Sequence, residues 1–403
     1  MIKNLDKKIR AYILKNAIAY KGKANPGAVI SALFNEGLKK ENVKEIMPKI
    51  QKEIKEIEKL TLNEQNKEFE KLQDLVSERE VREGLPELPD AKKGNVVMRF
   101  RPAPSGPLHV GHIISNMISS MFVEEYGGKF YVIVDDTDPT TVLADSYKKI
   151  KEDCDWIFGN VYKYINSSDR MEIYYNYVQD LIKKDFAYVC TCKQDAFKKL
   201  SESKKDCPCR GFSAKDNLEK WEKMLGKNGF GEGEAVLRFK SGMQNKNPAM
   251  RDFPLARISL KEHPKQKKKY RVWPLMNLVV AVDDIEFEMT HVIRGKDHRD
   301  NAQRQKLIFD VFKKKFPWVF FIGRIKFTDL VLSKRKISAL IEAGEFSGEE
   351  DERLPTIASL RKRGYKPEAF RKFAQQRGLT EVDKVISSKD FFEVLDNFNK
   401  DNI

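Results

Sequence analysis

Apolar residues in the first eighty positions recur every three or four residues: Ile9, Ile13 and Ala17, then Val43, Ile46, Ile50, Ile54 and Ile57. That spacing places them on one face of a helix. The turn Gly22-Lys-Ala-Asn-Pro-Gly27 interrupts it, so the segment predicts a small helical domain. After Pro86, Pro89 and Gly94 the pattern changes, and Val96-Val-Met-Arg-Phe100 has the composition of a buried strand. A proline- and glycine-rich loop follows. Leu108 to Tyr126, with Ile113, Met117, Met121 and Val123, then predicts a helix that Gly127-Gly128 ends. Phe130 to Val134 predicts a second buried strand and Tyr147 to Phe158 another helix. Strand, helix, strand over 96–134 is the order of a parallel α/β sheet, which takes its ligands at the carboxyl ends of its strands.

The alternation lapses over 188–270, where a cysteine cluster and lysine-rich stretches such as Lys265-Gln-Lys-Lys-Lys269 intervene. It resumes at Leu278 to Val282 and Thr290 to Arg294, which predicts an insertion dividing one sheet into two halves. Beyond about residue 340 the pattern predicts helices to the end and no further strand. The expected organisation is a helical domain over 1–90, the first half of an α/β domain over 91–187, the insertion over 188–270, the second half over 271–337 and a helical region over 338–403.

With 41% hydrophobic and 33% charged residues, the chain can build cores and is too apolar for a disordered polyelectrolyte. Its formal net charge of +15 points to a polyanionic partner rather than a small neutral metabolite alone. The best apolar run, Leu275 to Val282, falls far short of the ~18 residues that span a bilayer. The charged N-terminus lacks the apolar region of a signal peptide, and a cytoplasmic protein is expected. Cys190-x-Cys192 and Cys207-x-Cys209 are separated by fourteen residues. In a reducing compartment this set of four thiols predicts a structural zinc site more than disulfides, and metal binding would supply folding free energy to a lysine-rich insertion.

Two motifs carry chemistry. Pro104-Ser-Gly-Pro-Leu-His-Val-Gly-His112 joins the first strand to its helix. There His109 and His112 share one face of the first turn, and Gly111 lets a ligand approach the backbone. A helix N-terminus favours phosphate, and two imidazoles add hydrogen-bond donors for a triphosphate. Val331-Leu-Ser-Lys-Arg-Lys336 lies in a loop after Phe327. Its lysines can close over a triphosphate and neutralise the departing pyrophosphate, so that charges on His109, His112 and Lys334 would stabilise the transition state of nucleotidyl transfer.

Together these motifs resemble the His-Ile-Gly-His and Lys-Met-Ser-Lys-Ser signatures of the class I aminoacyl-tRNA synthetases. The segments RFRPAPSGPLHVGH, DDTDP, RVWPLMNLVVAVDD, THVIRGKDHRDNAQRQ, VLSKRK and LPTIASLRKRGYKPEAFRKF are similar to the glutamyl/glutaminyl subgroup in its archaeal and eukaryotic form. The resemblance implies an α/β fold: a Rossmann-type parallel sheet split by an acceptor-binding insertion with a zinc knuckle, between an N-terminal helical domain and a C-terminal helical stem-contact region. It implies ATP with Mg2+, L-glutamate and tRNA for glutamate as ligands, with tRNA for glutamine as an open second substrate. By the same resemblance His109, His112 and Lys334 are catalytic, and Pro104, Gly111, Ser333 and Arg335 bind ATP. Arg99 and Arg294, at strand ends, would bind the glutamate side chain, since a buried carboxylate calls for a guanidinium fork, and Asp135 would hold the α-ammonium. The arginine at 294 and Gly295-Lys-Asp-His298 favour glutamate. A glutaminyl enzyme and a non-catalytic tRNA-binding fragment are the alternatives. Arg101 stands where the family has a small or apolar residue, and Met276 where several relatives have a tyrosine. Relatives continue into anticodon-reading β-barrels where this sequence stops, so the expectation is a fragment, half of a split enzyme whose anticodon-binding part is a separate chain, or a synthetase that reads only the acceptor end.

Overall fold

The isoleucine spacing near the N-terminus folds into α1 (Leu5–Ala19), α2 (Pro26–Asn35), α3 (Val43–Ile57) and α4 (Leu62–Glu70). Asn25 caps α2 by accepting from the backbone N–H groups of Gly27 and Ala28, with Pro26 in the first turn. Thr61 and Glu64 form a capping box at α4. Ile9, Ile13, Ile50, Ile54 and Ile57 are buried together in one core. In this computed structural model residues 4–20, 22–76, 85–330 and 332–400 are described, Lys40 and Arg335 by their backbone alone. The chain divides into two compact units, Met1–Glu83 and Gly84–Ile403.

The second unit begins with β1 (Val97–Phe100), α5 (Val110–Tyr126), β2 (Lys129–Val134), α6 (Ser146–Phe158) and β3 (Val161–Asn166). The three strands pair in parallel in the order β1-β2-β3, with Arg99 opposite Tyr131. Then α7 (Met171–Lys183) leads into β4 (Ala187–Cys190), α8 (Gln194–Glu202), α9 (Ala214–Leu225), β5 (Val236–Phe239), β6 (Pro254–Ile258) and β7 (Val272–Pro274). The insertion is therefore built on a four-stranded antiparallel sheet, β4-β5-β6-β7. Trp221, Trp273, Phe239 and Phe253 fill its core.

The run at Leu278 to Val282 is the buried middle of a helix, α10 (Met276–Glu286). β8 (His291–Gly295), α11 (Arg299–Val311) and β9 (Trp318–Ile322) complete the α/β pattern, β8 and β9 pairing in parallel. Thr290 ties β8 to β1: its N–H donates to the Val97 carbonyl at 3.0 Å, and its hydroxyl accepts from the Val97 N–H at 2.9 Å. The strands thus lie in the order β3-β2-β1-β8-β9. The connection reverses direction between β1 and β8, and the crevice at the carboxyl ends of those strands is where such a sheet holds its ligand.

The chain ends with β10 (Ile325–Phe327), α12 (Lys334–Glu342), α13 (Ile357–Lys362), α14 (Pro367–Arg377), β11 (Lys384–Ile386) and α15 (Ser388–Lys400). The expectation of helix alone after residue 340 is corrected by β11, which pairs in parallel with β10. Three residues are too few for a period of two to show above the surrounding helical pattern. No helix among the described residues is long and apolar enough to cross a membrane.

Candidate active site

His109 is the N-cap of α5, and the histidine pair caps itself. The His109 Nδ1 accepts the Gly111 N–H at 3.2 Å, and the His112 Nδ1 accepts the His109 backbone N–H at 3.3 Å. The rings lie 3.8 Å apart between centroids. A nitrogen that accepts from a backbone donor carries no proton, so both imidazoles present Nε2–H. Burial and then the Lys334 charge bring His109 down to about 4. His112 is held well below its ordinary value by burial, with His109 and Lys334 adding. Both rings are neutral at pH 7, which corrects the expectation of charge at these positions: they supply donors, and the positive charge is that of Lys334. At Gly111 a Cβ would lie 3.1 Å from the His109 ring and 3.3 Å from Leu332 Cδ1, which explains the glycine between the histidines.

Lys334 opens α12, and its ammonium donates to the Ala103 carbonyl at 2.8 Å. Burial lowers it to about 8. The loop after β1 and the start of α12 are in close contact. A Cβ on Gly106, whose φ is 136°, would lie 3.2 Å from Lys334 Cβ and 3.1 Å from Ser338 Oγ. Ser333 caps α12, accepting from the Lys336 N–H. Pro104 is buried, and its carbonyl accepts from Leu143 N–H at 2.8 Å. Val331 and the Arg335 side chain lie outside the described residues.

Around the carboxyl ends of β1, β2 and β8 stands a second group of charges. Arg99 is buried, and its Nε and Nη2 grip both oxygens of Asp284, at 2.5 and 2.7 Å. The Arg101 Nη1 donates to Asp283 at 2.7 Å and its Nη2 to Ser167 Oγ at 3.0 Å. Asp283, fully buried, also accepts from Arg170 Nε and the Tyr174 hydroxyl, each at 2.8 Å. Asp136 is saturated by the Ser168 N–H and hydroxyl and the Tyr147 hydroxyl, each at 2.7 Å.

Two predicted residues stand apart from this saturated set. Arg294 donates from Nη1 to the neutral Gln305 amide at 2.7 Å, while its Nε is buried without a hydrogen-bond partner among the described residues. Burial first, and then Arg99, bring its guanidinium down to about 10, with Asp284 opposing. The Asp135 carboxylate accepts no hydrogen bond among the described residues. The Arg101 Nη2 stands 3.9 Å from it. Burial raises Asp135, with Arg101 opposing and Asp136 and Asp283 adding. A half-buried cation without an anion and a half-buried anion without a donor among the described residues, at adjoining strand ends, can receive an amino acid that carries both an ammonium and a side-chain carboxylate.

Cys190, Cys207 and Cys209 are buried and Cys192 partly so, and no disulfide links them. Three Sγ pairs lie 3.3, 3.5 and 3.9 Å apart, and all four sulfurs fall within 4.8 Å of one another. A tetrahedral ion with bonds of about 2.3 Å has edges of about 3.8 Å, so the donor set fits zinc. Next to it, Arg210 donates to the buried Asp252 at 2.9 Å and fastens this knuckle to the sheet.

Sequence reasoning missed four parts of the site. Asp283 and Asp284 lie near the end of α10 after six buried positions, 277–282, and two acids following that largely apolar run were the available signal. Gln305 carried none. Nor did the strap from the C-terminal region: Val110 N–H donates to Pro355 O at 3.1 Å and Ile357 N–H to Leu108 O at 3.0 Å, holding the turn that bears His109.

Comparison with known proteins gives concordant results. The family model for tRNA synthetases class I (E and Q), catalytic domain, matches residues 95–400. The chain is 42% identical over 391 residues to a glutamate-tRNA ligase of Methanocaldococcus jannaschii, covering 97% of this chain and 70% of that protein. It is 39% identical over 390 residues to that of Methanopyrus kandleri, covering 96% and 68%. It is 41% identical over 387 residues to that of Pyrococcus furiosus, covering 93% and 67%. A solved glutamate-tRNA synthetase from Elizabethkingia anophelis superposes with a TM-score of 0.53 at 20% identity, over 76% of this chain and 70% of that one, a likeness of fold.

Proposed function

The chain belongs to the class I tRNA synthetases for glutamate and glutamine, and from that membership we propose how its residues carry out the ligation of glutamate to tRNA. The activity has two steps. A glutamate α-carboxylate oxygen attacks the α-phosphorus of ATP, forming glutamyl-adenylate and releasing pyrophosphate. A terminal ribose hydroxyl of tRNA then attacks the acyl carbon, and AMP leaves.

The observation that carries the choice of glutamate is Arg294. Its charge has no carboxylate partner among the described residues, whereas that of Arg99 is matched by Asp284. A glutamate carboxylate would complete the pair, and a glutamine amide would leave this half-buried charge uncompensated. Arg99 lies close enough to repel Arg294, and its Nη1 is outside the fork that grips Asp284. Asp135, with its acceptor positions free, would take the α-ammonium. Holding both substrates at the ends of β1, β2 and β8 supplies proximity.

The triphosphate would lie at the N-terminus of α5, where the helix dipole favours an anion and the Nε2–H groups of His109 and His112 supply donors, the backbone N–H groups of the first turn being already paired. Pro104 and Gly111 shape that turn, while Ser333, Lys334 and Arg335 would close on the phosphates from α12. Mg2+ would accompany ATP and share its charge. As the bond to pyrophosphate breaks, negative charge grows on the leaving oxygens. The Lys334 ammonium and the imidazole donors are placed to stabilise it without themselves forming bonds. The insertion over 188–270 is the part we assign to the acceptor end of tRNA, between the two catalytic segments 91–187 and 271–337. The segments 1–90 and 338–403 are assigned to the helical domain and the stem contact, and the +15 charge suits a polyphosphate backbone. We place the reaction in the cytoplasm, where the four thiols stay reduced.

Cys190, Cys192, Cys207 and Cys209 would hold one zinc ion as a structural element of the insertion. Freshly purified protein is expected to contain about one zinc per chain by mass spectrometry of the metal. Its removal by a chelator should unfold the insertion, read as new protease cleavage between residues 190 and 210. Zinc content far below one per chain would refute the assignment.

The direct test of the function is charging of total archaeal tRNA with labelled glutamate or glutamine. Glutamate should be incorporated and glutamine should not. Incorporation of glutamine in preference would overturn the reading of Arg294. If charging fails and glutamate-dependent pyrophosphate exchange is also absent with tRNA present, repeating the assay with an added anticodon-binding chain shows whether one is required.

A further inference from the structure

Of the acidic groups at the ends of β1 and β2 and on α10, Asp136, Asp283 and Asp284 are each saturated by two or three donors. Asp135 is the exception. Its closest cation is Arg101, at a separation too long for a hydrogen bond but short for two charges: 3.9 Å. The Arg101 side chain is 6% exposed, and two anchors hold it at that distance, Asp283 through Nη1 and Ser167 through Nη2. Asp283 is in turn shared with Arg170, so Asp283 alone cannot neutralise Arg101. The Arg101 Nε is buried without a hydrogen-bond partner among the described residues.

This geometry differs from an ordinary ion pair. A guanidinium in contact with Asp135 would occupy its lone pairs, as Arg99 occupies those of Asp284. A guanidinium fixed one atom-width further away lends its field and leaves the oxygens open. We propose that Arg101 is a positioning residue of the amino-acid pocket: it is the fixed counter-charge that keeps Asp135 an anion while leaving its oxygens free for the ammonium of the substrate. The proposal rests on the reading that Asp135 receives that ammonium.

The need for a counter-charge follows from the surroundings. Asp135 faces Arg99 and Arg101 from the end of β1, its own neighbour Asp136, and Asp283 from α10. Arg99 is matched by Asp284, so Arg101 is the cation left to oppose burial and two neighbouring acids. Without it, burial and the two acids would push the carboxyl further toward its neutral form, and a neutral carboxyl attracts an ammonium poorly.

The test is the pH dependence of kcat/KM for glutamate in tRNA charging, measured on the full chain. Asp135→Asn comes first and tests the underlying reading: it should raise KM for glutamate at least tenfold, and an unchanged KM would remove Asp135 from the site. Arg101→Gln should then move the acid limb up by about one pH unit, so that KM for glutamate rises about tenfold on the acid side of the limb, with kcat within about threefold, and recovers as pH rises. Arg101→Lys, which keeps the charge, should return the limb toward that of the parent. A uniform loss in Arg101→Gln at all pH values, or an unmoved KM and limb, would overturn the proposal. Should Arg101→Gln fail to fold, the parent chain decides: it should keep its use of glutamate at pH 7, and a loss at pH 7 that is absent from Asp135→Asn would show Asp135 neutral despite Arg101.

Discussion

Replacement of Lys334 by alanine is expected to lower the rate of glutamate-dependent tRNA charging by about a thousandfold, with the fold intact. The reasoning begins with charge. Both histidines at the start of α5 are neutral, one down to about 4 and the other well below its ordinary value. Lys334 is thus the charged member of the group that faces the departing pyrophosphate. Loss of one preorganised group at a developing anion costs about 10²–10³ in rate, and here it removes a full charge rather than a dipole. The structural cost is small, since the ammonium makes one hydrogen bond, to the Ala103 carbonyl. Single-turnover pyrophosphate release measures the effect, and a loss below about tenfold would remove Lys334 from the chemistry. The same residue gives a pH dependence. Burial brings it to about 8, so in the free protein its charge is present below that value and is lost as pH rises through it. The parent kcat/KM for ATP should therefore fall above about pH 8, and that limb should be absent from the residual rate of the alanine variant.

The parts of this site that were legible in the sequence are those written in short segments. His109 and His112 sit three residues apart between a strand and a helix, and the four cysteines lie within twenty positions, so local spacing alone brings each group together. Lys334 was legible as chemistry through its motif, but its contact with Ala103, 231 residues earlier, was not. The partners that set the state of each group come from far along the chain. Asp284 meets Arg99 across 185 residues and Asp283 meets Arg101 across 182. No periodicity encodes such a pairing, because it depends on how α10 packs against the end of β1. The protonation of the histidines follows from burial, which a motif does not state. The antiparallel sheet of the insertion was hidden for a different reason: its strands are three to five residues long and separated by helices and turns, so no alternation extends far enough to be seen.

Substitution of Arg294 by glutamine should lower kcat/KM for glutamate by about two to three orders of magnitude. In the structure the guanidinium is backed by a neutral group, the Gln305 amide at 2.7 Å, and by no acid among the described residues. Its field is opposed by Arg99 and only partly relieved by Asp284. A glutamate carboxylate entering this place gains a charge-assisted pair. With glutamine at 294 the same carboxylate would be buried against an amide, and breaking a buried pair on one side costs about 3–5 kcal/mol, where each 1.4 kcal/mol is about tenfold. The effect should fall on KM, because the side-chain carboxylate is bound alike in the ground and transition states. Arg294→Lys should recover part of the loss, keeping the charge without the planar fork. Gain of glutamine charging is not expected from Arg294→Gln alone, since Arg99 remains bound to Asp284 and no new acceptor for the substrate amide is created. A kcat/KM for glutamate unchanged within about threefold would mean that the side-chain carboxylate binds elsewhere, and Arg99, through its remaining Nη1, would be the residue to substitute next.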